Sequence, residues 1–480
     1  MSKLTNDLGL DPVITGNHLI EWGYKPGPHF THLLKVANHA RGWGASDEVI
    51  QKILAKEDIP IPVEKKGLNE EGIPYASFVV TNDDEATKAN VEAVHAHMNV
   101  IMRLPTVVRG AVMPDACPAG TALGTIPVGG VVATKNAIHP GMHSADVCCS
   151  MMLTELGSAK PKDVLDYAQS ITHFGVGGRD DQIVKLPEEF LEGFEDNPFL
   201  VGLEDVARKH FMTQGDGNHF LYVGSYIPPI QAYAGDKKTA LVTHHGSRGF
   251  GAMVYKRGMQ AAIAQTRKGY NIPDHMAWID YDTYEGRDYW AALQKVREWT
   301  KLNHLAIHST IRQRFMHTPA VVGNTTIWNE HNFVFRREDG LFYHAKGATP
   351  SFDGFSEDDV GMSIIPMNMS EPIYVMEHRD NVEALGFAPH GAGRNMSRSD
   401  FLKNIPEENR GDHYALDTEG IDARWFNGSP DLSECPSAYK GAKQIVAAIA
   451  EHDLAKIKVK IHPYGCIMAG EIKKDYKKRR

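Results

Sequence analysis

The chain has 480 residues, 42% of them hydrophobic and 23% charged, which is the composition of a globular protein with a large core and, by length, two or three domains. A net charge of −9 argues against a general nucleic-acid coat, though a local basic groove is compatible with it. There is no apolar run of about 18 residues and no apolar N-terminal stretch, so neither a membrane span nor a secretory leader is expected and a cytoplasmic location is.

In chain order, HFTHLLKVANHARG (His29–Gly42) places apolar residues at helical spacing and ends on glycine. DEVIQKILAKE (Asp47–Glu57) reads as a second helix and Ile59–Pro74 as a linker. The segment GYKPGPHFTHLL is a candidate RNA contact, with a helix-capping turn as its commoner meaning. Residues 1–85 therefore read as a helical extension and linker, and 86–480 as the main domain. Asp83–Arg103 reads as a helix. Beyond it, short apolar strands alternate with glycine-rich turns: GTIPVGGVVATKNAI, HFLYVGSY, TALVTHHGSRGFG, TTIWNEHNFVFRRE, LFYHAKGATP and PIYVME. Helices intervene at Tyr289–Arg314 and Ala438–His452. The expectation is an α+β fold with several β-sheets, surrounding helices and a functional site in a central cleft. The basic tail Lys473–Arg480 reads as a solvated terminus.

Five cysteines are too few for a disulfide framework, so a thiolate ligand in a reduced compartment is the better use for one of them. In HSADVCCSM, Asp146 and Cys149 lie three apart, and a carboxylate with a thiolate suits Mn, Zn, Fe or Co; buried small hydrophobes are the alternative for Cys148 and Cys149. QGDGNHF offers Asn218 and His219, and LVTHHGSRGFG offers His244, His245 and Arg248 on an anion-friendly turn. NEHNFVF places His331 at the head of a strand, and HAKGATP sets Lys346 beside a glycine. FAPHGAGRNMSRS is a glycine-rich loop in which His390 is a candidate nucleophile toward phosphorus, with Arg394 and Arg398 to offset charge. No GxxxxGK[ST] loop is present, which argues against a Walker-type NTPase.

Together with AVMPDACPAG, IPVGGVVAT and the late AYK, these segments resemble, in this order, the RtcB family of RNA ligases from about Ala111 to Tyr439. The resemblance implies two Mn²⁺ ions held by Asp146, a bridging Cys149, His219, His244 and His331. It implies that His390 carries the nucleotide, GTP in the family, with other nucleoside triphosphates open here. Asn218, Gly391, Ala392, Gly393, Asn368 and Tyr439 correspond to nucleotide contacts, and Arg248, Lys346, Arg394 and Arg398 to phosphate or RNA contacts. The implied partners are RNA with a 3′-phosphate or 2′,3′-cyclic phosphate end and RNA with a 5′-hydroxyl end, in RNA repair or tRNA splicing, without a membrane.

The sequence departs from the family pattern at Cys117, where a His is usual, at Tyr222, where a guanine-contacting Glu is usual, and at Ala345, where an Arg is usual. Pro366–Ser370 (PMNMS) replaces a PGSMG loop, and the closing Lys-Gly is missing. These changes cluster around the base and point to an altered nucleotide preference or a specialised RNA substrate. Two alternatives stand beside the ligase: a metal-dependent RNA phosphodiesterase or cyclic phosphatase, and a non-catalytic RNA-binding relative.

Overall fold

The computed structural model describes residues 13–57, 65–81, 85–228, 237–323 and 325–471; the basic tail and part of the expected linker lie outside them. The chain divides into two compact units, Met1–Lys65 and Lys66–Arg480. This division falls before the boundary expected at residue 85, because the short strand Ala76–Ser77 pairs in parallel with Val107–Cys117 and joins the larger unit.

In the smaller unit, helices Gly16–Glu21, Phe30–Gly42 and Asp47–Leu54 bury Leu19, Leu33, Ala37, Ile50 and Leu54 against one another. Apolar residues three and four apart put these side chains on single helix faces. Asp47 and Glu48 occupy the first turn of the third helix, where carboxylates favour the helix N-terminus.

The larger unit is mixed α+β, as expected. An 8-stranded sheet runs in the order Met362–Ile365, Ile373–Glu377, Lys456–Met468, Phe220–Tyr226, Lys238–His245, Ser150–Glu155, Thr326–Glu330, with Asp422–Trp425 pairing alongside Lys456–Met468. A 5-stranded sheet joins Ala76–Ser77, Val107–Cys117, Val128–Thr134, Phe342–Lys346 and Asn332–Arg336. Both faces of Lys238–His245 are buried: Ala240 and Val242 pack with Met151, Leu153, Tyr222 and Ile364 from other strands of the same sheet, and Leu241 joins the main core. The helix expected around Tyr289–Arg314 spans Tyr284–Met316, opened by Thr283, whose side chain accepts from Gly286 N. Its buried face includes Tyr289, Val296, Trp299 and Ile307. Asp83–Arg103 corresponds to a helix over Glu85–Ile101, and Ala438–His452 to one over Ala442–Glu451. Two long elements lie outside those expected from the sequence: the helix Arg248–Gly269, which begins inside the GSRGFG turn, and the strand Lys456–Met468. No helix among the described residues is long and apolar enough to cross a membrane.

Candidate metal centre and nucleotide cleft

Four neighbouring antiparallel strands of the large sheet bring their metal-ligand residues to one edge. Cys149 immediately precedes Ser150–Glu155, His219 precedes Phe220–Tyr226, His244 is the penultimate residue of Lys238–His245, and His331 follows Thr326–Glu330. Because neighbours run in opposite directions, two strand beginnings and two strand ends share an edge; Met151 and Phe220 both pair with His244, and Ser150 pairs with Glu330. His331 is also the one residue between Thr326–Glu330 in the large sheet and Asn332–Arg336 in the smaller one. Cys148 N donates to Asn332 O and His331 N to Cys149 O, which locks the Asp146–Cys149 turn against that junction. Gly246 keeps the carboxylate of Asp146 in place by omission, since a Cβ there would collide with it.

The five side chains form two three-donor groups that share Cys149: Cys149–His244–His331 and Asp146–Cys149–His219, each with its ligand atoms within 4.8 Å of one another. His244 Nδ1 donates to Asn218 O at 3.0 Å, which leaves Nε2 as a lone pair. That lone pair lies 3.1 Å from Cys149 Sγ and 3.1 Å from His331 Nε2. His219 Nε2 lies 3.4 Å from Cys149 Sγ and 3.2 Å from Asp146 Oδ2. Nδ1 of both His219 and His331 is buried without a hydrogen-bond partner.

Burial holds His244 down to about 3 and His331 well below the usual imidazole range, so both rings are neutral. Burial, reinforced by Asp146, pushes the Cys149 thiol up. Burial also pushes the Asp146 carboxyl up, but the His219 imidazole and its hydrogen bond outweigh this and the net position is about 2. The cluster thus gathers an ionised carboxylate, converging imidazole lone pairs and a thiol that lacks a counter-charge. Those residues fit a transition-metal cation, which supplies the missing positive charge and converts the thiol to thiolate.

Facing this cluster, His390 follows the strand Phe387–Pro389, its ring centroid 5.1 Å from that of His331. Its Nδ1 is 2.6 Å from Oδ2 of Asp115, a fully buried carboxylate on the strand Val107–Cys117. Asp115 was missed in the sequence; its signal was a lone acid in the apolar run AVMPDAC. Gly393 has φ +67°, and a Cβ there would collide with Asp115 O, so glycine permits the close approach of the His390 loop to that strand.

Around these groups lies a cleft with a cavity volume of about 260 Å³. Asp146, Cys149, Asn218, His244, His331, Lys346, Asn368, His390, Gly391, Ala392, Gly393, Arg394, Arg398 and Tyr439 all line it, and His219 joins through Asp146 and Cys149. The Lys346 side chain makes no hydrogen bond or ion pair among the described residues, and burial lowers its ammonium pKa. Arg394 leaves Nη1 and Nη2 buried without hydrogen bonds, Nη1 lying 3.6 Å from Oε2 of Glu434. Arg398 Nε donates to Glu434 Oε1 at 2.6 Å, and the Tyr439 hydroxyl donates to Oε2 of the same carboxylate. No pattern in the sequence signalled Glu434, a buried carboxylate that anchors two guanidiniums and retains a net positive charge in the group. Arg248 Nη2 donates to Gly175 O at 2.7 Å and Nε to Thr213 Oγ1 at 3.2 Å, so its guanidinium ties two loops together, while Nη1 and His219 Nδ1 both crowd the space that a Cβ on Gly215 would take.

Fold and site define a protein with a converging set of soft and hard metal donors beside an aspartate-held histidine and a cationic cleft. The chain belongs to the RtcB family: the model of that family, described as tRNA-splicing ligase RtcB, matches residues 189–469. It is 27% identical over 445 residues to the tRNA-splicing ligase RtcB of Archaeoglobus fulgidus, covering 78% of this chain and 90% of that protein. It is 25% identical to the RNA-splicing ligase RtcB of Mycobacterium tuberculosis, covering 75% of this chain and 99% of that protein. The match to the Pyrococcus abyssi tRNA-splicing ligase RtcB, 28% identical, covers 58% of this chain and 34% of that protein.

Proposed function

We propose that this chain is an RNA ligase that joins an RNA 3′-phosphate or 2′,3′-cyclic phosphate end to a 5′-hydroxyl end through a nucleotide carried on His390. The larger unit is the catalytic part, Mn²⁺ the metal, and a nucleoside triphosphate of the GTP type the co-substrate, with RNA repair or tRNA splicing as the setting. The observation that carries this reading is the contact between His390 Nδ1 and Asp115 beside the five-donor cluster. Asp115 takes Nδ1–H, which leaves Nε2 as the lone pair available for attack. Bound to Asp146, Cys149, His219, His244 and His331, the ions supply Lewis acidity for phosphoryl oxygens.

His390 Nε2 attacks the α-phosphorus, forming an N–P bond as the bond to pyrophosphate breaks. Arg394 and Lys346 offset charge on the phosphoryl oxygens. An RNA 3′-phosphate oxygen then takes the nucleotide and frees His390; a cyclic phosphate is first opened by water. The 5′-hydroxyl attacks the activated phosphorus, loses its proton, and the nucleoside monophosphate leaves. Asn218, Gly391 and Ala392 line the path of the nucleotide, and Arg398 faces the RNA end.

His390→Ala tests the reading. Joining of a labelled cyclic-phosphate RNA to a 5′-hydroxyl RNA is expected to vanish while the metal content stays. Joining at the wild-type rate by this variant would sink the proposal.

A further inference from the structure

Asp115 commits one carboxylate oxygen to His390 and has no hydrogen bond for the other. Oδ2 lies 2.6 Å from His390 Nδ1, while Oδ1 is buried without a hydrogen-bond partner. The residue is fully buried, so water does not offset its charge. A cation close by would, and the chain places one at Lys440.

Lys440 is 4% exposed, a rare setting for an ammonium. Its Nζ donates to Ala116 O at 2.7 Å and to Pro114 O at 3.4 Å, the carbonyls of the two residues that flank Asp115 on the strand Val107–Cys117. It makes no ion pair among the described residues, so its charge is not spent on another carboxylate. Burial lowers the pKa of this ammonium, and Cys117 and Asp115 oppose that shift. Burial also pushes the Cys117 thiol up, which keeps it neutral and leaves Asp115 as the anion of the group. Two buried charges of opposite sign, each costly alone, thus offset one another without a direct ion pair.

The backbone of Lys440 reaches the other half of the Asp115–His390 contact. Its N–H donates to Gly393 O at 3.0 Å, and the preceding Tyr439 forms an antiparallel bridge with Arg394. Asn395 Nδ2 adds a bond to Tyr439 O at 2.8 Å. The main chain of Lys440 therefore holds the His390 loop, and its side chain holds the strand of Asp115. Lys440 is not one of the residues that line the cleft, so it works from behind the wall.

We propose that Lys440 is a positioning residue for nucleotide transfer, fixing Asp115 through the two flanking carbonyls, offsetting its charge, and acting on the reaction through the Asp115–His390 contact. The proposal rests on reading His390 as the nucleotide carrier. With Asp115 held in place, Nδ1–H of His390 has one acceptor in one position, and the Nε2 lone pair keeps one direction.

The test is a double-variant cycle on the Mn²⁺-loaded protein. Its readout is the rate and KM of covalent labelling by whichever of α-³²P-labelled ATP, GTP, CTP and UTP labels the wild-type protein fastest. Lys440→Gln keeps an N–H donor and removes the charge. At saturating triphosphate it is expected to slow labelling about 10–100-fold, with KM and Mn²⁺ content unchanged. In the Asp115→Asn background no carboxylate remains to be offset, so Lys440→Gln should cost no more than about twofold further. Wild-type labelling by Lys440→Gln overturns the proposal and leaves the ligase reading intact. Losses that multiply in the double variant do the same, because Lys440 then acts independently of Asp115. If Lys440→Gln fails to retain Mn²⁺, Lys440→Met, of similar length, takes its place in the cycle. Loss of Mn²⁺ by both makes Lys440 a support of the fold and overturns the proposal. A wild-type protein that takes no label from any triphosphate overturns both this proposal and the reading beneath it.

Discussion

His244 and His245 are neighbours on one strand that face opposite sides of the sheet, and their surroundings differ in kind. On the cluster side, Nε2 of His244 meets only other donors, and Nδ1 of His219 and of His331 has no partner. On the opposite side, His245 stacks on His304 with ring centroids 3.5 Å apart. His304 then binds Ser150 Oγ and Thr243 Oγ1 at 3.0 and 2.7 Å, and His308 binds Thr243 Oγ1 and Thr154 Oγ1 at 2.7 and 2.8 Å. Burial depresses the pKa on both sides. What separates ligand from structural histidine here is where the ring nitrogens meet: Nε2 of His219, His244 and His331 converge with the Cys149 thiol and the Asp146 carboxylate, whereas both ring nitrogens of His304 and of His308 are paired with hydroxyls.

The largest expected effect follows from deleting the donor shared by both halves of the cluster. Cys149→Ala should lower bound Mn²⁺, measured by elemental analysis after reconstitution, and cut RNA joining at least about 100-fold, beyond what loss of a supporting group costs. Full metal content in this variant would place the ions elsewhere.

Asp115→Asn should come next. It leaves the donor cluster intact but loosens the tautomer and orientation of His390, so joining is expected to fall roughly 10²–10⁴-fold with metal content unchanged. Wild-type joining kinetics would make Asp115 a purely structural acid.

On the structural side, His304→Ala strips partners from Ser150 and Thr243 and opens a cavity. Urea unfolding should show a loss of about 2–4 kcal/mol. A variant that loses metal but no stability would invert the assignment of the two faces.

The smallest effect is the pH dependence of the same buried rings. Burial holds His139 at about 3, His143 at about 4 and His308 at about 3. Their folded values lie below the unfolded value of about 6.5, so the unfolded chain takes up protons first as pH falls. Their contribution is complete above about pH 6.5 and is lost toward the folded values, roughly 0.7 kcal/mol per histidine between pH 7 and 6. The melting temperature of chelator-treated protein should therefore fall over that interval; a rise would contradict the buried neutral assignment.

Much of the site was legible in the sequence because its ligands sit at strand ends flanked by glycine, where motif and geometry coincide: GNHF, HHGSRG and HGAGR each deliver a residue to the cleft. Asp115 was harder, since its meaning depends on a contact with His390 across 275 positions. Glu434 sits in a short 3-10 turn whose pattern carries no charge signal. Arg248 opens a helix and turns toward Thr213 and Gly175, contacts that a glycine-flanked arginine does not disclose in the sequence. That helix was hidden by Gly249, Gly251 and Gly258, which lower helix propensity; Gly258 leaves room for the Tyr289 ring. The strand Lys456–Met468 was legible in the strict alternation KIKVKI, whose lysines take the exposed face, and it pairs on both sides.

The most direct measurement of the central claim is to locate the nucleotide on the protein. After incubation with Mn²⁺ and α-³²P-labelled triphosphate, the labelled peptide is isolated and sequenced by mass spectrometry. The account predicts an acid-labile monophosphate adduct on His390 that chases into RNA on adding the two ends. An adduct on another residue, or joined RNA formed by His390→Ala, would contradict it.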